Sequence, residues 1–196
     1  MSREFKELSV MMAPADTILM HPTHVLPDHV SVQNAAIDVM TDLSRMAAIT
    51  VDPNLPIDKA EERMKNGRVR LLFVLSEPGD LLGLITLSDI EGMRPMRFQH
   101  EMGVSHSEVL VRDIMTSLDH LEAMSMSDVV QACVGDIIET LKRTGRQHAI
   151  VIEHTPDGPA IRGIFSATRI GRQLGIQLNT GGVAWTFAEL ETALAH

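Results

Sequence analysis

Gly83-Leu84-Ile85-Thr86-Leu87-Ser88-Asp89 is the stretch that decides the fold of this chain. A leucine- and isoleucine-rich run ends in a threonine, and an aspartate follows three positions later where a helical pattern starts, so strand gives way to helix at Thr86. Two readings of the pair compete. In the local one, Thr86 and Asp89 form a capping box, each side chain satisfying a backbone N–H that the helix leaves unpaired. In the functional one, the positive end of the helix meets a phosphate while Asp89 accepts hydrogen bonds from a ribose diol. The rest of the chain has to choose.

Upstream, Val69 to Leu75 reads as a buried strand, Glu77-Pro78-Gly79-Asp80 as a turn and Leu81 to Thr86 as the returning strand. Before them, Pro56 suits the start of a helix with Ile57, Ala60 and Met64 on one face, and Gly67 reads as its C′ terminator. Ala48-Ile49-Thr50-Val51 is a strand closed by Asp52-Pro53-Asn54, and a helical pattern from Ser31 carries Ala35, Ala36, Val39 and Met40. The second half repeats this order. Val111 to Thr116 echoes Ile37 to Thr41; Val134, Ile137, Ile138 and Leu141 mark a helix ending at Gly145; His148 to Ile152 and Ile161 to Ser166 are strands around Thr155-Pro156-Asp157-Gly158-Pro159. The offset drifts from 75 (Asp38 to Asp113) through 78 (Gly67 to Gly145) to 80 (Gly83 to Gly163), as loop insertions produce. Two β-α-β-β-α copies joined by a polar segment, Gly92 to Glu108, are the simplest account, giving an α/β (α+β) fold. The expected division is 1–30 as an extension, 31–95 as the first motif, 96–110 as a linker, 111–176 as the second motif and 177–196 as a tail. In that tail Thr186-Phe187-Ala188-Glu189 reads as a capping box, with Trp185 and Leu190 as its hydrophobic staple.

Composition narrows the function. The 196 residues are 44% hydrophobic but only 3% aromatic, with no Tyr and one Trp, so the core is aliphatic and the thirteen Met serve as filler and surface. A net charge of −9 opposes binding to a nucleic-acid backbone while leaving a local anion pocket possible. The single Cys133, in an apolar run, reads as a buried inert thiol in a reducing compartment. No leader-like segment opens the chain and no apolar run spans a membrane, which points to a cytoplasmic location away from membranes. His21, His24 and His29 are separated by prolines that work against convergent metal ligation, so no metal is expected. Neither a Ser/His/Asp nor a Cys/His arrangement nor a P-loop is present, and Asp136 and Glu139 have a helix-capping explanation, so no enzyme is expected.

In order and in duplicate, Asp38-Val39-Met40-Thr41, Ile49-Thr50-Val51-Asp52-Pro53, the helix ending at Gly67, the two apolar strands and Gly83 to Asp89 resemble a tandem pair of cystathionine-β-synthase (CBS) domains over residues 31 to 176. The resemblance implies two motifs packed as a pseudo-twofold module, with clefts that take AMP, ADP, ATP or S-adenosylmethionine and no required cofactor. It implies a stand-alone regulatory module, a homodimer that senses an adenine nucleotide and passes occupancy to an unknown regulated protein. By that resemblance Thr86, after Gly83, meets phosphate and Asp89 the ribose. Val69, Arg70 and Leu71 wall the base, and Met40, Thr41 and Thr50 close the other side. In the second copy Gln147 and His148 are expected to take the places of Val69 and Arg70. Ser166 keeps the hydroxyl, but Arg169 stands where the acid should be. Arginine only donates, so the second cleft is empty, a polyphosphate aid or a site for another anion, with Arg172 one turn on; the alternative is a solvated helix that carries Arg169 as a surface arginine. The competing reading is a structural or protein-interaction module with vestigial clefts.

Overall fold

The computed structural model describes Met12 and residues 26–77 and 79–175. The first copy opens with a 3-10 turn, Ala36–Val39, then strand β1 (Thr41–Asp42), β2 (Thr50–Val51), helix α1 (Ile57–Gly67), β3 (Leu71–Leu75), β4 (Leu81–Thr86), α2 (Leu87–Glu91) and α3 (Met93–Met102). The second runs α4 (Val111–Ile114), β5 (Thr116–Ser117), β6 (Ala123–Ser125), α5 (Met126–Gln131), α6 (Val134–Thr144), β7 (His148–Thr155), β8 (Gly158–Ser166) and α7 (Ala167–Gln173). The α/β class and the duplication are as expected. The helix expected from Ser31 is only the short 3-10 turn, and the expected polar linker is mostly α3.

Each copy lends its first strand to the other. One sheet runs β2-β3-β4-β5, the other β1-β8-β7-β6. Thr116 and Ser117 pair with Leu84 and Gly83, and Thr41 and Asp42 pair with Ile164 and Gly163. The motif glycines are explained here. A Cβ on Gly83 would collide with the Thr116 carbonyl oxygen, and one on Gly163 would lie 2.5 Å from Met40 Sδ. Both positions need the space because a strand of the other copy crosses there.

The cores are exchanged in the same way. Ile57, Ala60 and Met64 of α1, with Leu72, Val74 and Ile85, enclose Val111 and Ile114 of the second copy and Val109 just before it. Ile137, Ile138, Leu141, Val151 and Phe165 enclose Ala36, Val39 and Met40 of the first. At roughly 1.5–3 kcal/mol for each large aliphatic side chain removed from water, the exchanged residues tie each copy into the core of the other. Between the sheets lies a third cluster, Leu71, Phe73, Leu84 and Ile150.

The end of α1 corrects the expected register. Gly67 remains in the helix and Arg68 takes the left-handed conformation, φ 52° and ψ 36°. Its counterpart is Gly145, φ 64°. Glycine at 67 serves space instead of rotation, since a Cβ there would lie 2.6 Å from Ile49 Cδ1. Gln147 therefore matches Arg70 and His148 matches Leu71, one position off the expected alignment. The cap hydrogen bonds agree: Leu87 N–H donates to the Arg70 carbonyl and Ala167 N–H to that of Gln147, at 3.0 and 2.9 Å. Cys133 also differs from expectation. It is the partly exposed N-cap of α6, with its backbone N–H donating to Asp136 at 2.8 Å.

Candidate functional site

The strand exchange builds two clefts, each made from both copies. In the first, Thr86, Ser88 and Asp89 face Thr116, Gln147 and His148 across an apolar floor of Leu84, Leu121 and Ile150, around a cavity of about 190 Å³. In the second, Val69, Arg70 and Leu71 face Ser166, Thr168 and Arg169, with Thr41 and Met46 at the side, around about 450 Å³. The expected grouping of Thr86 and Asp89 with Val69, Arg70, Leu71 and Thr41 in one cleft is therefore split. Each Ser/Thr motif looks at the strand entrance of the other copy, because β5 lies beside β4 and β1 beside β8. Met40 is wholly buried in the second core, Thr50 pairs with Phe73, and Gly83 is the crossing point. None of these three lines a cleft.

At the first cleft the capping box is real. Asp89 N–H donates to Thr86 Oγ1 at 3.2 Å, and Asp89 Oδ2 accepts from Thr86 N–H at 2.9 Å and from its hydroxyl at 2.7 Å. The other oxygen, Oδ1, lies 3.0 Å from Arg94 Nη1 on α3. The same nitrogen donates to the Ile114 carbonyl at 2.8 Å and to Thr116 Oγ1 at 3.3 Å, so Arg94 staples α3 across the cleft mouth. Sequence reasoning missed Arg94 because it sits in what reads as linker. It also missed Thr116, although the repeat offers it as the counterpart of Thr41. Beyond Arg94 a groove of about 450 Å³ continues past Arg97 and His120.

His148 lines both clefts. Its Nδ1 is buried without a hydrogen-bond partner. Burial, reinforced by the positive charge of Arg70 and only partly opposed by Asp89, pushes its pKa down to about 4. The ring is neutral at pH 7, an uncharged partition between the two cavities.

At the second cleft the hydroxyl of Ser166 makes no cap hydrogen bond, unlike Thr86. Arg169 Nη1 donates to Thr41 Oγ1 at 3.1 Å. Burial and then the neighbouring charge of Arg172 draw the Arg169 pKa down from its ordinary value. Among the described residues no group of three or more His, Cys, Asp or Glu is placed to hold a metal; His21 and His24, like the 176–196 tail, lie outside those residues. No helix of the described residues is long and apolar enough to cross a membrane.

Two sheets that exchange their first strands, with a cleft on either side of the exchange, define a duplicated α/β module. Residues 35–91 match the family model of the CBS domain, and the fold is similar to that of solved structures. An uncharacterised conserved protein from Pyrococcus horikoshii has a similar fold, with TM-score 0.53 and 21% identity over 78% of this chain and 100% of that one. A CBS-domain-containing protein from Agrobacterium tumefaciens is similar at TM-score 0.51 and 17% identity, over 73% of this chain and 94% of the other. No curated protein matches in sequence.

Proposed function

We propose that the chain is a regulatory module whose first cleft binds an adenine nucleotide of the AMP, ADP or ATP kind, and that it acts as a homodimer on a protein partner. The observation that carries the reading is the convergence of Thr86, Asp89 and Arg94 on a cavity with an apolar floor of Leu84, Leu121 and Ile150. Apolar walls suit a base; Glu122 and Arg146, which also line the cleft, pair with each other at 3.0 Å, so Asp89 and Arg94 are the carboxylate and guanidinium that suit a sugar and its phosphate. The α2 helix has only five residues, so its dipole contributes little and the side chains must do the recognition. Asp89 Oδ1 is held by Arg94, so the ribose diol takes Arg94's place on the carboxylate while Arg94 swings to the phosphate. At about 190 Å³ the cleft is smaller than the roughly 300 Å³ of ordinary ligand pockets, and the departure of Arg94 is what opens it into the groove beyond. Support for assembly comes from α3, where Met93, Met96 and Met102 are 63%, 66% and 62% exposed.

The test is titration calorimetry of AMP, ADP, ATP, adenosine and S-adenosylmethionine with the wild type, Asp89→Ala and Arg94→Met, plus light scattering for mass. Asp89→Ala should weaken nucleotide binding at least roughly tenfold, the worth of hydrogen bonds to a charged group. Arg94→Met should weaken AMP and ATP but strengthen adenosine, because it frees Asp89 and removes only a phosphate contact. Undiminished binding by Asp89→Ala would sink the assignment. Monomeric mass with no binder in the panel would favour the structural reading.

A further inference from the structure

We propose that the second cleft is a site for a compact multivalent phosphate, two or more linked phosphoryl groups, and that it has lost the means to hold a ribose. Four arginines line it: Arg68 and Arg70 from the end of α1 onward, Arg169 and Arg172 from α7. No aspartate or glutamate lines it. Among the described residues none of the four has a carboxylate within ion-pair distance, whereas Arg45, Arg94, Arg112, Arg146 and Arg162 each do. In a chain of net charge −9, four unneutralised guanidiniums around one cavity are an arrangement that repels itself until an anion arrives.

The chemistry of the lining selects the anion. Guanidinium forks match phosphoryl oxygens bidentately, and the hydroxyls of Thr41, Ser166 and Thr168 add donors. Arg169 occupies the position of Asp89, so the diol acceptor of the first cleft is replaced by a donor. Three of the arginines stand at the exposed rim and Arg169 lies deeper, which spreads positive charge over the length of a di- or triphosphate instead of focusing it on one phosphate. Arg68 holds its place in a left-handed backbone conformation that its counterpart leaves to Gly145. Strain kept at a cleft wall by a non-glycine residue points to a use for the side chain. This site stands whether or not the first cleft takes adenosine.

Inorganic tripolyphosphate, pyrophosphate, orthophosphate, adenosine and ATP should be titrated by calorimetry into the full chain at about 20 mM salt, where screening is weak. Tripolyphosphate and pyrophosphate are expected to bind the wild type far more tightly than orthophosphate, with affinity falling as salt rises. Arg169→Gln and the exposed Arg172→Gln should each weaken tripolyphosphate by roughly tenfold, and Asp89→Ala should leave it unchanged. Arg68→Gly should raise the melting temperature while weakening tripolyphosphate, which separates loss of the site from loss of the fold. ATP binding that falls with Arg169→Gln but not with Asp89→Ala would place a nucleotide's phosphate tail as the source of the anion. Failure of tripolyphosphate to bind, indifference to both Arg169→Gln and Arg172→Gln, or loss with Asp89→Ala would overturn the proposal. Adenosine binding lost only in Asp89→Ala would leave the first-cleft reading intact in each of those cases.

Discussion

His148 has its ring against the cavities of both clefts, with Arg70 on one side and Asp89 on the other. Its pKa falls from 6.5 to about 4 on folding, so between those values the unfolded chain binds a proton that the folded chain refuses. The stability it contributes is complete above the unfolded value and is lost as pH falls through the folded one. Replacing it by the residue its counterpart carries, His148→Leu, should remove this dependence. Urea unfolding should find the wild type losing about 2 kcal/mol relative to the variant between pH 7 and pH 4.5; parallel profiles would show that the ring takes up its proton as readily folded as unfolded. Residues of this kind mark the limit of sequence reading. The Thr86 and Asp89 box was legible because both ends lie within one helical turn. Arg94 was not, since its reach to Asp89, Ile114 and Thr116 depends on the direction of α3. The helix stop falls at Arg68 and not at Gly67 because the glycine answers to packing against Ile49, a tertiary contact that no local pattern records.

At the scale of elements, the two exchanged strands differ in how they are held. β1 is clasped by a charge cluster: Arg162 on β8 donates from Nε and Nη2 to the two oxygens of Asp42 at 2.9 and 3.0 Å, and from Nη1 to Glu153 at 2.8 Å. The hydrogen bonds from Arg162, followed by those from Ser44, hold the Asp42 carboxyl well below the usual carboxylate range despite its burial at 6% exposure. In the other exchange Ser117 takes the place of Asp42, and among the described residues no ion pair joins β5 to β4; Arg94 reaches Thr116 from α3, and the bare Gly83 lets β5 in. Asp42→Ala leaves the half-buried Arg162 with Glu153 alone and should cost about 2 kcal/mol at pH 7. The deficit relative to wild type should begin to shrink as pH falls through about 4, where the unfolded chain takes up the proton, and should vanish only once the depressed carboxyl itself protonates. Gly83→Ala meets backbone and should cost about 3 kcal/mol or more, against roughly 1 kcal/mol for Gly163→Ala, where the Met40 side chain can give way. Denaturant midpoints of the three variants check the order; equal costs at the two glycines would show that the exchanges are equally tolerant. The helices and long strands were legible from their periodicity. The two-residue strands were not recognised as exchanged, because no local pattern records which sheet a two-residue strand joins.

For the whole molecule, duplication gives pseudo-twofold geometry, and divergence of single residues gives the two clefts opposite chemistry: Asp89 in one, Arg169 in the other. The repeat was legible from the drifting offset, and so was the difference between the clefts. What sequence could not supply was that each cleft draws on both copies, so that Gln147 and His148 serve the motif at Thr86 while Val69, Arg70 and Leu71 serve the motif at Ser166. This arrangement makes occupancy of either cleft a clamp across the exchange, since a ligand must touch both copies at once. A ligand at 100-fold its dissociation constant stabilises the fold by about 2.7 kcal/mol, which for a domain of this size raises the melting temperature by several degrees. An adenine nucleoside and tripolyphosphate, each saturating alone, should therefore each raise the melting temperature, and together they should raise it by nearly the sum. Two ligands in one cleft would compete, and the combined shift would be no larger than the better of the two. Thermal melts of the wild type in the four ligand conditions decide between these outcomes. Asp89→Ala should delete only the nucleoside's share and Arg172→Gln should diminish only that of the tripolyphosphate, because their side chains lie in different clefts.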